Sequence, residues 1–256
     1  MSIQTVDDFE AYLVAAANAG FQAVSLDRQQ LAPVVAGGRR GVSRALSVLH
    51  WHGLECSDVL ALTVRGRQAD EIAEAQELVD LAAGLNAESL LILCFANPTE
   101  AVIDRLDRLA SIAADAGVRL ALEFAPGLAI HSISTALEVV NQLGADRVGL
   151  AIDTWHFFRG DSSWSDLETI PLESIALVQF DDAPPMLSDD IMDETVNRRA
   201  WPGLGEFDLT GFAHTLSVRG YDGIVSVEVL SRETRSLNEN DFAQRAYATT
   251  ASYWPS

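Results

Sequence analysis

Four polar residues interrupt apolar, strand-like segments of the sequence, each at or near the end of its segment. Glu123 ends LALE, Asp153 ends GLAID, Gln179 lies in LVQF, and Glu228 ends VSVE. The four segments are consecutive candidate strands. In a parallel barrel the carboxyl ends of the strands meet at one rim, where active sites form. The pattern therefore predicts that three carboxylates and one amide converge.

Convergence of these side chains suggests a metal site. A carboxylate in an apolar strand costs several kcal/mol unless it is paired, and converging carboxylates repel one another. A divalent cation cancels most of that charge. We therefore predict one divalent metal ion held by Glu123, Asp153, Gln179 and Glu228. All-oxygen ligands favour Mn²⁺ or Mg²⁺, with Co²⁺ and Zn²⁺ as further candidates. The alternative is that each acid caps a helix or pairs with an arginine.

Substrate contacts are predicted in segment 181–206, which is long for a loop and would lie on the catalytic rim. Arg198 or Arg199 could pair with a substrate oxyanion or carboxylate, or with acids of the same loop. Asp181 could reach the metal zone or merely begin the turn. Arg65, after the segment LTV, is a further candidate anion contact.

The elements that must position these residues alternate between helix and strand. Predicted strands cover 21–26, 54–56 (with 60–64 as extension or successor), 89–95, 119–124, 148–153, 175–180 and 223–229. Predicted helices cover 7–18, 41–50, 68–83, 98–116, 132–143, 164–169, 209–219 and 240–253.

About seven strand–helix units in 256 residues predict a parallel α/β fold with right-handed crossovers. The count, and the lack of a GxGxxG loop, favour a (β/α)₈ TIM barrel over an open sheet. Only residues 1–5 precede the first helix, so the first strand is expected to be short or missing. Residues 1–256 are expected to form a single domain.

Composition narrows the class of protein. The 17 basic and 37 acidic side chains give a formal charge of −20, which disfavours nucleic acid and anionic membranes as partners. The sequence shows neither a secretory signal nor an apolar run near the length of a membrane helix. Cys56 and Cys94 are expected to be buried free thiols, as in a cytoplasmic protein.

Three motifs carry a family resemblance: DTWH at 153–156, PGLGEFD at 202–208 and GYDGIVSVE at 220–228. Together they resemble the xylose-isomerase-like TIM-barrel superfamily, also called AP endonuclease family 2, most closely over about residues 118–230. The resemblance implies that Glu123, Asp153 and Glu228 are metal ligands. Position 179 holds Gln where the commonest pattern has His, and Gln there resembles the 3-dehydroshikimate dehydratase branch.

His156, in the first motif, would bind substrate or transfer a proton beside the metal, as the resemblance implies. Its side chain titrates near neutrality, which suits acid–base work. The alternative is a structural histidine among the aromatic residues that surround it in sequence.

Four functions compete. The first is isomerisation or epimerisation of a sugar, keto-sugar or cyclic polyol through a metal-stabilised enediolate, with Glu123 and Glu228 moving protons. The second is a lyase that removes water from a cyclic keto acid such as 3-dehydroshikimate, with His156 as base. An AP-site endonuclease fits poorly because the chain is acidic and poor in rim histidines. A barrel that binds a ligand without chemistry is the fourth. The expected partner is a small molecule, and a homodimer is a candidate assembly.

Overall fold

A computed structural model describes residues 9–66 and 68–254 of the chain, with the side chains of 68 and 69 outside the description. Seven strands form one parallel sheet in sequential order. They are β1 (Ala23–Asp27), β2 (Glu55–Val64), β3 (Ser89–Cys94), β4 (Arg119–Glu123), β5 (Val148–Asp153), β6 (Ile175–Phe180) and β7 (Ile224–Val227).

Helices surround the sheet, which curls into a nearly closed barrel. They are α1 (Phe9–Ala19), α2 (Arg28–Ala36), α3 (Gly38–Trp51), α4 (Gln68–Gly84), α5 (Glu100–Asp115), α6 (Ile133–Leu143), α7 (Thr154–Arg159), α8 (Trp164–Thr169), α9 (Ile191–Asn197), α10 (Leu209–Val218) and α11 (Glu239–Thr250). The predicted TIM-barrel class is confirmed, with seven strands in the described part of the chain. The prediction of a short first strand at residues 1–5 falls outside the described residues.

The strands bury both faces, as the apolar runs predict. One large apolar core lies between the sheet and its helices. A second, smaller cluster fills the barrel interior and includes Leu91, Ala121, Ala151 and Leu177. Because side chains alternate along a strand, residues two positions further on lie on the same inward face, nearer the carboxyl ends.

Three short helices follow strands or interrupt loops where no helix was predicted: α2, α7 and α9. The segments 54–56 and 60–64 prove to be parts of one strand, β2, with an irregular register between Val59 and Leu62. No helix within the described ranges combines the length and the apolar character needed to cross a membrane.

Candidate active site

The inward face of the barrel carries the four predicted polar residues to one rim. Glu123 and Asp153 are the last residues of β4 and β5, and each lies two positions beyond an alanine of the interior cluster. Gln179 on β6 is the register partner of Asp153. Glu228 directly follows β7, where its backbone N–H still donates to Phe180 O at 3.4 Å. All four side chains are buried.

Gln179 links two of these positions and leaves one atom free. Its Nε2 donates to Oε2 of Glu228 at 3.0 Å. Its Oε1 is buried and finds no hydrogen-bond partner among the residues described. A buried amide oxygen without a partner is costly. Because this one belongs to a carboxylate-lined site, its environment fits a metal ligand.

Asp153 has two roles. Its Oδ1 accepts the backbone N–H of His156 at 3.0 Å, which caps the N-terminus of α7. The helix-cap alternative is therefore realised for this acid. Its second oxygen, Oδ2, faces the rim, where it accepts from Nη1 of Arg199 at 2.6 Å.

His156 is buried beside the carboxylates. Its Nε2 lies 3.4 Å from Oε1 of Glu123, while its Nδ1 finds no partner among the described residues. Glu123, Asp153 and His156 each offer a ligand atom within 4.8 Å of the others, so this group could hold a metal ion. His156 is therefore close enough to Glu123 and Asp153 either to transfer a proton or to bind a metal ion. Trp155 packs edge-on against its ring at 5.4 Å.

Arg199 enters this site from the long loop. Its Nη1 lies 2.6 Å from Oδ2 of Asp153, bonds to Oδ2 of Asp181, and lies 3.4 Å from Oε2 of Glu228. Thr195 fixes the guanidinium from behind, because its carbonyl accepts from Nε at 2.9 Å and its hydroxyl from Nη2 at 3.0 Å. The alternative in which the acids pair with an arginine is therefore correct in part, for Asp153 and Glu228.

The charges at the rim remain unbalanced. Among the residues that the structure describes, four buried carboxylates (Glu123, Asp153, Asp181 and Glu228) contact one guanidinium and one histidine. Like charges this close repel strongly in a low-dielectric interior. The excess of carboxylates, together with the free amide oxygen of Gln179, fits a divalent cation.

This environment shifts the pKa values of the acids in opposite directions. Burial raises the pKa of Glu228 well above its ordinary value, and the surrounding carboxylates add to the shift although Arg199 opposes it. Burial likewise raises the pKa of Asp181 to about 8. For Asp153 burial is outweighed by Arg199 and His156, which lower its pKa. Burial opposes protonation of His156, but Asp153 and Glu123 raise its pKa overall.

The remaining predicted residues have separate settings. Arg198 pairs with Glu194 and donates to Pro185 O at 3.3 Å, so it takes the loop ion pair that was the alternative for this residue. Asp181 neither starts a turn nor stands free, since it bonds Arg199 and accepts from Thr154 Oγ1 at 2.8 Å. Arg65 lies at the end of β2, with its guanidinium carbon 5.4 Å from the centre of the Phe95 ring.

Sequence reasoning missed Asp182, which organises the loop. Its buried carboxylate accepts backbone N–H groups of Gly203, Gly205 and Phe207 at 2.8–3.1 Å. A Cβ on Gly205 would lie 2.2 Å from its Oδ1, so only glycine permits this approach. Its own backbone pairs with Ala200, next to Arg199. The signal was a second acid directly after an apolar strand.

Curated relatives of this chain carry the names of two enzymes. The chain is 33% identical over 150 residues to an inosose isomerase of Halalkalibacterium halodurans, covering 58% of this chain and 52% of that protein. It is 30% identical over 174 residues to a 3-dehydroshikimate dehydratase of Pseudomonas aeruginosa, covering 65% of this chain and 27% of that protein. The match thus spans about half the length of the inosose isomerase, and less of the dehydratase.

Solved structures share the fold. The crystal structure of the IolI protein, which contains a zinc atom, superposes with a TM-score of 0.84 at 23% identity, covering 94% of this chain and 91% of that one. The family model for the xylose isomerase-like TIM barrel matches residues 13–250. The chain is therefore a member of the xylose isomerase-like TIM barrel family.

Proposed function

We propose that this protein is a divalent-metal-dependent isomerase or epimerase of a cyclic polyol ketone or related sugar. The observation that carries the proposal is the convergence of Glu123, Asp153, Gln179 and Glu228 on one rim, with the Gln179 Oε1 buried and unpartnered among the described residues. The likeness to inosose isomerases supplies the substrate class.

The metal would be held by Glu123, Asp153, Gln179 and Glu228. Their oxygens suit Mn²⁺ or Mg²⁺, while the imidazole of His156 near Glu123 leaves room for Zn²⁺ or Co²⁺. When bound, the ion supplies positive charge that stabilises an enediolate formed from the substrate's adjacent carbonyl and hydroxyl groups.

Isomerisation requires that a proton leave the hydroxyl-bearing carbon next to the carbonyl and that a proton return to the former carbonyl carbon. The hydroxyl proton must also pass from one oxygen to the other. Glu123, in contact with His156, would accept the first proton. Glu228, which accepts from Nε2 of Gln179 at 3.0 Å, would return a proton. Arg199 and Asp181 would orient the substrate's oxygens from the loop side of the rim.

A lyase is the second candidate, and Gln179 is the observation that favours it. The same residue type is associated with the dehydratase branch, and two 3-dehydroshikimate dehydratases are relatives of this chain. In that reaction His156 would take the proton next to the carbonyl. The hydroxyl on the β carbon would then leave as water, and a conjugated double bond would form.

The test uses purified protein loaded with Mn²⁺. We expect it to convert an inosose to an isomeric ketone, seen by chromatography or NMR, and to lose that activity with a chelator. Ultraviolet absorbance from 3-dehydroshikimate without any inosose conversion would instead establish the lyase. If neither substrate reacts and Mn²⁺ does not change the melting temperature, the enzymatic proposal is wrong.

We further propose a single-domain, cytoplasmic enzyme that acts as a homodimer. The two cysteines are buried and unpaired, and burial raises the pKa of each thiol, which suits a reducing compartment. Light scattering of the purified protein tests the dimer, since a monomer mass at micromolar concentration would contradict it.

A further inference from the structure

One large apolar side chain lies at the rim beside the carboxylates, after the strand that pairs with β4. Phe95 follows β3 and is 47% exposed. Its N–H still donates to Val64 O at 2.9 Å, so the strand ladder continues through it. Leu93, two residues earlier, belongs to the interior cluster and is the register partner of Glu123. Phe95 therefore lies on the inward face, one level above Glu123 towards the open end.

The ring is braced by Arg65, the residue that directly follows β2. The guanidinium of Arg65 lies over the Phe95 ring at 5.4 Å, in a cation–π contact. The backbone N–H of Arg65 donates to Oε1 of Glu71 at 2.6 Å. Glu71 is buried and also pairs with the buried Arg105 at 3.3 Å. This buried ion pair fixes the position from which Arg65 reaches Phe95.

The mouth of the barrel thus has two unlike halves. The half formed by β4–β7 presents carboxylates, an amide and a guanidinium, whereas the half formed by β2 and β3 presents Leu93 and an exposed aromatic ring. We propose that Phe95, braced by Arg65, is a specificity-determining residue that stacks on the carbon face of a six-membered ring and selects cyclic over open-chain substrates. This inference rests on the proposed function and narrows its substrate class.

The physical reason is the shape of the ligand. A six-membered ring presents a rigid face of C–H groups, which an aromatic surface covers favourably while the ring's oxygens point to the opposite half. An open-chain hydroxyketone has the same reacting group without such a face, and it loses conformational entropy when it binds in one conformation. The contribution of Phe95 should therefore differ between the two ligands.

The experiment measures dissociation constants by calorimetry for an inosose and for 1,3-dihydroxyacetone, with and without Mn²⁺. We expect Phe95→Ala to weaken inosose binding about fivefold to tenfold and dihydroxyacetone binding less than about twofold. Phe95→Tyr should restore the preference for the ring, and metal content should stay constant. Trp51→Ala serves as the control, because Trp51 is 85% exposed at the end of α3, beside the amino-terminal ends of the strands.

The outcomes separate this inference from the proposed function. If Phe95→Ala weakens both ligands equally, or leaves inosose binding unchanged while inosose is still isomerised, the stacking role is wrong and the function stands. If the ring ligand binds through Phe95 but is never converted, the function is wrong and the stacking role stands. A wild-type protein that binds no inosose overturns both.

Discussion

The Nη1 atom of Arg199 lies 2.6 Å from Oδ2 of Asp153, although the two residues are 46 positions apart. The same nitrogen also bonds Asp181 and lies near Glu228. One guanidinium therefore neutralises part of a buried group of acids. Because a divalent ion would act on the same carboxylates, the two cations share one electrostatic task.

Replacing Arg199 should show whether it and the metal ion neutralise the same carboxylates. We expect Arg199→Gln to lower the free energy of unfolding of the metal-free protein by about 3–5 kcal/mol, since three buried carboxylates lose their cation. Mn²⁺ should then stabilise the variant more than it stabilises the wild type. Urea unfolding with and without Mn²⁺ measures both effects. Arg198→Gln is the matched control, and similar losses from both variants would contradict the role assigned to Arg199.

Gln179 offers a direct test of the metal site. Gln179→Leu removes the amide oxygen and should lower metal affinity about tenfold to a hundredfold. Gln179→Glu keeps an oxygen at the same position and should retain the ion. Elemental analysis after dialysis against a fixed Mn²⁺ concentration measures the difference. Equal metal content in both variants would remove Gln179 from the ligand set.

The role of His156 can be determined by measuring turnover and metal content separately. As a proton carrier, it should lose about 10²–10⁴-fold in kcat on conversion to Gln, with metal content unchanged. Its place beside Glu123 and Asp153 makes ligation the competing role, and loss of metal in His156→Gln would establish that role instead. His131→Gln is the control, because His131 pairs loosely with Asp161 at 3.7 Å on a half-exposed side chain.

The stability of the metal-free protein should depend on pH through Asp181. An unfolded aspartate titrates near about 4, whereas burial raises the pKa of Asp181 to about 8 in the folded chain. The folded state therefore binds the proton more tightly, and stability falls as pH rises from about 4 to about 8. The raised pKa of Glu228 acts in the same direction.

Asp181→Asn cannot ionise, so it should flatten the slope of unfolding free energy against pH without removing it. Urea unfolding at several pH values between 5 and 9 measures that slope. Asp104→Asn, on the exposed face of α5, should leave it unchanged. An unaltered slope in Asp181→Asn would show that other groups set the pH dependence.

The strand ends were predictable because local pattern determines them. An apolar run that stops at an acid, repeated over β4–β7, indicates buried parallel strands with polar carboxyl ends. The insertion of Arg199 was not predictable, since it depends on contacts across 46 residues and on a loop whose path the sequence does not encode locally. The sequence offered both Arg198 and Arg199, and contacts made in the folded chain distinguish them. Thr195 holds Arg199 towards the acids, whereas Arg198 pairs with Glu194.

The missed helices have equally specific causes. Pro33 lies inside α2, where proline normally disfavours a helix, but burial of Leu31 and Val34 holds the segment in place. α7 and α9 have only 6 and 7 residues, too few for a helical period to stand out. Their positions follow from capping by Asp153 and Asp190.

The fastening of the long loop by Asp182 has a consequence for protein engineering. Asp182 pairs with Ala200 through its backbone and holds residues 203–207 through its carboxylate, while α9 carries Thr195 against Arg199. The stretch 185–190 is itself tied to α9, because Glu194 accepts the backbone N–H groups of Leu187 and Ser188 at 2.9 and 3.1 Å and Asp190 caps the helix. A graft that remodels the entrance to the barrel should therefore keep Asp190 and Glu194, so that α9 still holds Arg199 among its acids.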